Sequence, residues 1–159
     1  MTVSASAAPA PFLDALRAHS TLNLAYVDDA GRPQACAVFY AVSDAGTLLF
    51  LTSPSTAHGT FLARSSPAAH VAFTVQADHQ TWTTINGVQG RGTARRVPDA
   101  AEPAARAAYL GAFPYVAEDA RLAGAVGSAA LWEVVPGWLR LIDNAQGFGH
   151  KEEWRVAGR

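Results

Sequence analysis

A cluster of hydroxyl side chains is the part of this sequence best suited to hold a phosphate group. Thr52, Ser53, Ser55 and Thr56 follow an apolar run, and His58 falls in the first turn of a segment with helical spacing. A helix start attracts anions because its backbone N–H groups are free and its dipole adds partial positive charge. A plain helix cap, which needs only one hydroxyl, explains the segment equally well.

A glycine-rich stretch at 86–92 is the second segment that suits a ligand. It reads NGVQGRG and lacks the lysine and the spacing of a phosphate loop. Its glycines indicate either a bend or bulge in a strand, or the close approach of a flat ligand. Gln89 can both donate and accept hydrogen bonds, which suits the edge of a heterocycle. An exposed strand position explains Gln89 just as well.

The C-terminal stretch 140–154 has the most unusual composition. Phe148 offers a ring face for stacking, and Lys151 offers a positive charge for a phosphate or a carbonyl group. A tail that docks on the domain through Phe148 and Trp154 is the alternative interpretation.

Composition excludes several classes of function. A net charge of −1 and 16% charged residues give no reason to expect nucleic acid or membrane partners. A solvated strand edge explains Arg91, Arg95 and Arg96. Cys36 is the only cysteine, and no histidine spacing is typical of a metal site. The chain has no secretory signal and no run of ~20 apolar residues, so the cytoplasm is the expected compartment.

The pattern of apolar residues predicts a mainly β fold, an antiparallel barrel with peripheral helices. Residues 1–11 are expected to be a flexible leader, and 12–159 a single domain. Short turns between the strands exclude a doubly wound parallel sheet. Helices are expected near Phe12–Leu16, after the third strand, and between 98 and 126. The predicted strands are Thr21–Val27, Pro33–Val42, Thr47–Thr52, a segment around Val71–Val75, Trp82–Val97, and Leu131–Ile142 with a break at Pro136-Gly137.

These segments, in this order, resemble the FMN-binding split barrels related to pyridoxamine 5′-phosphate oxidase. The resemblance runs from about Leu13 to Trp154 and is strongest to a branch of small proteins with two motifs. The first, G-V-Q-x-x-G, stands at Gly87–Gly92, and the second, D-N-x-x-G-F-G-x-K, at Asp143–Lys151. The resemblance implies a split barrel of about six antiparallel strands, FMN as cofactor, and a homodimer with FMN sites at the interface.

The resemblance also implies site residues. The second strand of the oxidases lines the flavin ring, largely through backbone groups, which implies Ala37, Val38, Phe39 and Tyr40 here. Gln89 belongs to the branch motif and is assigned to the flavin on that basis.

The FMN phosphate of the oxidases lies at the corner after the third strand. Thr52, Thr56 and His58 match the spacing of the Thr, the Ser or Thr and the Lys found there, and Ala57 stands where an arginine does. The corner is therefore expected to carry less positive charge and to bind phosphate better when His58 is protonated.

Three functions remain open at this point. The first is an FMN-dependent oxidoreductase that acts on a small organic molecule. It would differ from true pyridoxamine 5′-phosphate oxidase because the oxidases' C-terminal arginine motif for pyridoxal phosphate is absent. The second is a module that binds flavin, deazaflavin or haem without substrate turnover, and the third is a structural dimer that has lost the site.

Overall fold

The fold is known from a computed structural model that describes residues 7–157. Seven strands form one antiparallel sheet in the order β3-β2-β1-β4-β5-β6-β7, and a further pairing of β3 with β6 closes six of them into a barrel. The predicted mainly β split barrel is therefore confirmed. The strands are β1 (Thr21–Val27), β2 (Pro33–Val42), β3 (Leu48–Thr52), β4 (Ala69–Gln76), β5 (Asn86–Arg96), β6 (Ala130–Asp143) and β7 (Lys151–Arg155).

Four α-helices lie outside the barrel strands: α1 (Ala10–Arg17), α2 (Ala57–Arg64), α3 (Glu102–Ala112) and α4 (Ala120–Ser128). Two short 3-10 helices cover Pro114–Glu118 and Asn144–Gln146. Residues 1–6 of the expected leader lie outside the described residues. Its remainder holds the buried Ala8 and the start of α1, where Pro11 fits the first turn because it needs no N–H partner there. Within residues 7–157, no helix has the length and apolarity needed to cross a membrane.

The core has two parts that follow from the strand patterns. Alternating residues of β1 and β4 fill the barrel, and Phe12 and Leu16 of α1 join them. A second apolar cluster forms where α3 and the 3-10 helix Pro114–Glu118 cover the outside of β3. Because β3 is covered on both faces, its apolar run is continuous rather than alternating.

The glycines of β5 have structural explanations within the barrel. A Cβ atom on Gly90 would lie 2.1 Å from Cζ of Phe73, so the glycine makes room for a core ring. The register of β5 against β6 shifts between Arg91 and Gly92, opposite Pro136 and Gly137. The prediction that Pro136-Gly137 breaks the last strand is therefore wrong, because a bulge absorbs the irregularity and β6 continues through it.

The C-terminal tail contains a seventh strand that the sequence analysis did not predict. Lys151–Arg155 pairs with Ile142–Trp138 of β6. Trp154 packs against the core, as the alternative of a docked tail predicts, whereas Phe148 is 78% exposed. The fifth strand also begins later than predicted, at Asn86 rather than Trp82, because hydrogen bonds among Thr81 and Thr84 form a turn there.

Candidate functional site

The hydroxyl cluster folds into a corner at the start of α2. Thr56 caps the helix, since its Oγ1 accepts a hydrogen bond from the backbone N–H of Gly59 at 3.0 Å and donates to the carbonyl of Ser53 at 2.9 Å. Thr52 is buried, and its Oγ1 lies 3.0 Å from Oγ1 of Thr56 and 2.7 Å from Nε2 of His58. The structure thus brings together the three residues that the sequence assigned to a phosphate corner.

The corner retains backbone hydrogen-bond donors that no described residue accepts from. The backbone N–H groups of Ala57 and His58 lie in the first turn of α2 and donate to no other group among residues 7–157. Ser53 and Ser55 are exposed, and their hydroxyl oxygens lie 2.8 Å apart. An anion at this helix start can therefore accept hydrogen bonds from two backbone amides and is attracted by the partial positive charge of the helix.

His58 does not provide the charge that a lysine would. Burial lowers the pKa of His58 below its ordinary value of 6.5, so the ring is neutral at pH 7. A neutral imidazole beside the hydroxyl of Thr52 acts as a hydrogen-bond partner that fixes the corner. Positive charge for an anion must come from elsewhere.

Two arginines that the sequence analysis did not assign to a site lie beside the corner. They line a cavity of about 320 Å³ together with Thr52, Gly59 and Trp132. The guanidinium of Arg106 is already occupied, because it binds Glu102 and the carbonyls at the end of α4. The exposed side chain of Arg96 forms no hydrogen bond or ion pair with any described residue. Arg96 ends β5, and only the closure of the barrel places it next to α2.

Half of β2 has an open edge beside this corner. The pairing of β2 with β1 extends to Pro33, whereas its pairing with β3 ends at Tyr40. The N–H of Tyr40 donates to the carbonyl of Ser20, which directly precedes β1. The backbone groups of successive residues in an antiparallel strand point to alternate sides. Ala37 is an odd number of residues from Tyr40, so its N–H and carbonyl point away from β1, to the side without a strand. These peptide groups have no strand partner on that side, and their role at a flavin ring remains a prediction.

The side chains of β2 divide between the two faces. Val38 and Tyr40 point into the barrel and are buried, and the Tyr40 hydroxyl donates to the carbonyl of Leu16. Burial raises the pKa of Tyr40, so it remains a neutral donor. Ala37 and Phe39 point outward, and the Phe39 ring is 55% exposed with its centroid 5.7 Å from that of Phe113.

Gln89 and Lys151 lie apart from the corner within one chain. Gln89 faces outward on β5, and its Oε1 accepts a hydrogen bond from Arg140 at 3.4 Å. It is three strands away from β2 in the sheet, a separation of about 14 Å. Lys151 begins β7, is exposed and has no described partner. A role for either residue at the flavin remains a prediction.

Comparison with known proteins places these features in a family. The family model described as pyridoxamine 5′-phosphate oxidase matches residues 10–134. A UPF0306 protein of Klebsiella pneumoniae is 35% identical over 122 residues, which cover 76% of each protein. The UPF0306 protein YhbP of Escherichia coli O157:H7 is 36% identical over 121 residues, with 75% of each covered.

Solved structures share the fold at lower identity. The conserved hypothetical protein Rv2991 of Mycobacterium tuberculosis has a TM-score of 0.70 at 21% identity, covering 99% of this chain and 97% of its own. A haem-binding protein of Mycobacterium smegmatis has a TM-score of 0.69 at 22% identity, and the match covers 93% of this chain but 59% of that one. An FAD-binding protein of the same organism has a TM-score of 0.60 at 18% identity, with 94% and 98% covered.

Proposed function

Because the chain belongs to the pyridoxamine 5′-phosphate oxidase family, we propose that it binds a flavin, specifically FMN, and uses it as an oxidoreductase on a small organic molecule. One observation carries the proposal. The start of α2, with two unused backbone N–H groups, lies beside the strand edge of β2 that has no neighbouring strand. A phosphate-bearing heterocycle needs these two kinds of group side by side.

The phosphate end of the proposed site rests on the α2 corner. The unused amides of Ala57 and His58 supply donors, and the internal hydrogen bonds of Thr52 and Thr56 hold the turn in place. The unpaired guanidinium of Arg96 supplies the permanent charge that Ala57 and His58 do not. Arg96 thus takes the electrostatic role that the resemblance assigned to residues within the corner.

The ring end rests on β2. Ala37 has a side chain small enough to allow a planar group close to the strand, and its peptide groups are free to bond it. Phe39 adds an exposed aromatic face next to it. FMN, when bound, supplies the electron transfer, whereas these residues bind and orient it.

We propose a homodimer that completes this site. The exposed side chains of Val27 and Phe39 are 58% and 55% accessible on the outer face of β1 and β2, and they are apolar. A second copy would cover them and could bring Gln89 or Lys151 to the flavin, which one chain cannot do. Sedimentation should show a dimer that Phe39→Asp dissociates and Leu122→Asp, on exposed α4, does not. A monomeric wild type refutes this part.

The cofactor is tested by titration with FMN. After FMN is added and the free cofactor is removed by gel filtration, the protein should retain flavin absorbance. Arg96→Gln should weaken binding by about 1.5–3 kcal/mol, the value of a hydrogen bond to a charged group. Thr56→Ala, which removes the hydroxyl that caps α2 and holds the turn, should weaken it by about 1 kcal/mol. Arg121→Gln, which removes a charge at a 94% exposed side chain on α4, and Thr83→Ala serve as matched controls. A protein that binds no FMN contradicts the proposal. If both site variants bind FMN with the affinity of the wild type, the assigned phosphate corner is wrong.

Turnover is tested separately from binding. Rapid bleaching of the bound flavin by NADH or NADPH in stopped flow is expected of an oxidoreductase. Stable flavin that is not reduced would instead favour the binding module. A haem titration tests another ligand of that module, since one structural neighbour is a haem-binding protein.

A further inference from the structure

Three arginines converge on one tryptophan on the outer face of β5, β6 and β7. The guanidinium carbon of Arg91 lies 4.4 Å from the ring centroid of Trp138, that of Arg140 at 5.0 Å and that of Arg155 at 5.9 Å. The register explains the arrangement, because Arg91 and Arg155 are the cross-strand partners of Trp138 on its two sides. We call these four residues the Trp138 cluster.

The cluster carries more positive charge than its own carboxylate offsets. Glu153 is its acidic partner, at 2.6 Å from Arg140 and 3.7 Å from Arg155, and it also accepts from the Trp138 indole N–H at 3.3 Å. These contacts lower the pKa of Glu153, so it is ionised. Arg91 has no hydrogen bond or ion pair with any described residue, and three cations against one anion leave a local excess of about two charges.

Three members of the cluster, Arg91, Trp138 and Arg155, form one wall of a large cavity. The cavity measures about 920 Å³ and is also lined by the aromatic pair Tyr26 and Phe61, whose rings stack at 4.2 Å. No aspartate or glutamate of the described residues lines it, and it includes none of the ten residues predicted to bind FMN. Its size is that of a small-molecule site.

We infer that this cavity is a second binding site, for an aromatic molecule that carries a carboxylate or phosphate group. The unpaired guanidinium of Arg91 is placed to bind the anionic group, because a planar fork matches its oxygens. The rings of Tyr26 and Phe61 provide an apolar wall for the aromatic body. This site uses none of the ten residues assigned to FMN and requires no bound flavin, although Val27 of the proposed dimer face also lines the cavity.

The test uses 2-naphthoate as the probe and its neutral analogue 2-naphthamide as the ligand control. Binding is measured on the full chain by calorimetry and by the NMR shift of the Trp138 indole N–H. Naphthoate should bind at least about tenfold more tightly than naphthamide, and Arg91→Gln should remove that preference. Arg121→Gln lowers the net charge by the same amount but lies outside the cavity, so it should preserve the preference for naphthoate.

Separate outcomes would overturn the inference. Equal binding of both probes, or an Arg91→Gln variant that keeps the preference, would exclude recognition of the anion by Arg91. Displacement of naphthoate by FMN would identify the cavity with the flavin site. A change in oligomeric state on Arg91→Gln without naphthoate binding would show that the Trp138 cluster is a protein interface. Naphthoate binding with no FMN binding would refute the proposed cofactor and leave this inference standing.

Discussion

Replacing Gly90 with alanine tests whether the glycine-rich strand serves the barrel or a ligand. The new Cβ would lie 2.1, 2.5 and 2.6 Å from three ring carbons of Phe73, whereas carbon atoms pack best at about 3.5–4.0 Å. Phe73 is only 2% exposed, so its ring has little room to move away. Overpacking of this kind costs typically 1–3 kcal/mol.

We therefore expect Gly90→Ala to lower the free energy of unfolding by about 2 kcal/mol. For a chain of this length, the melting temperature should fall by roughly 4–8 °C. Urea denaturation and thermal melts followed by circular dichroism measure both quantities. Gly124→Ala is the matched control: its Cβ would meet nothing within 4 Å on α4, and alanine favours a helix by about 1 kcal/mol.

A double mutant identifies the cause. In a Phe73→Leu background, the cost of Gly90→Ala should fall by at least about 1 kcal/mol, because the two residues are in contact. Unchanged stability of Gly90→Ala combined with lost FMN affinity would refute the reasoning, since it would mean that the glycine makes room for a ligand.

Two further predictions concern titratable groups. His58 resists protonation in the native state, while the unfolded chain protonates it near pH 6.5, so stability should fall as the pH drops below that value. Urea titrations at pH 7.5 and 5.5 should show a larger loss for the wild type than for His58→Asn, and equal losses would contradict a buried neutral ring. Burial raises the pKa of the Cys36 thiol. Its reaction with Ellman's reagent at pH 7.5 should be at least about tenfold slower than that of the urea-unfolded chain, and an equal rate would mean a freely accessible thiolate.

The sequence determined the local elements and the composition of the corner. Strict alternation in β1 and β4, and the turns after Val27 and Val42, depend only on neighbouring residues, so the strands were predicted close to their true bounds. The hydroxyls of Thr52 and Thr56 are six residues or fewer from His58 along the chain. Their convergence at one helix start is a local property that spacing alone could predict.

Contacts between distant residues were decided only by the tertiary structure. Lys151–Arg155 is highly charged and short, and it becomes a strand because β6 offers an unpaired edge. Arg96 reaches the cavity beside the corner because the pairing of β3 with β6 closes the barrel. Arg91 and Arg155 meet at Trp138 through the register of three strands, which no pattern within a single strand specifies.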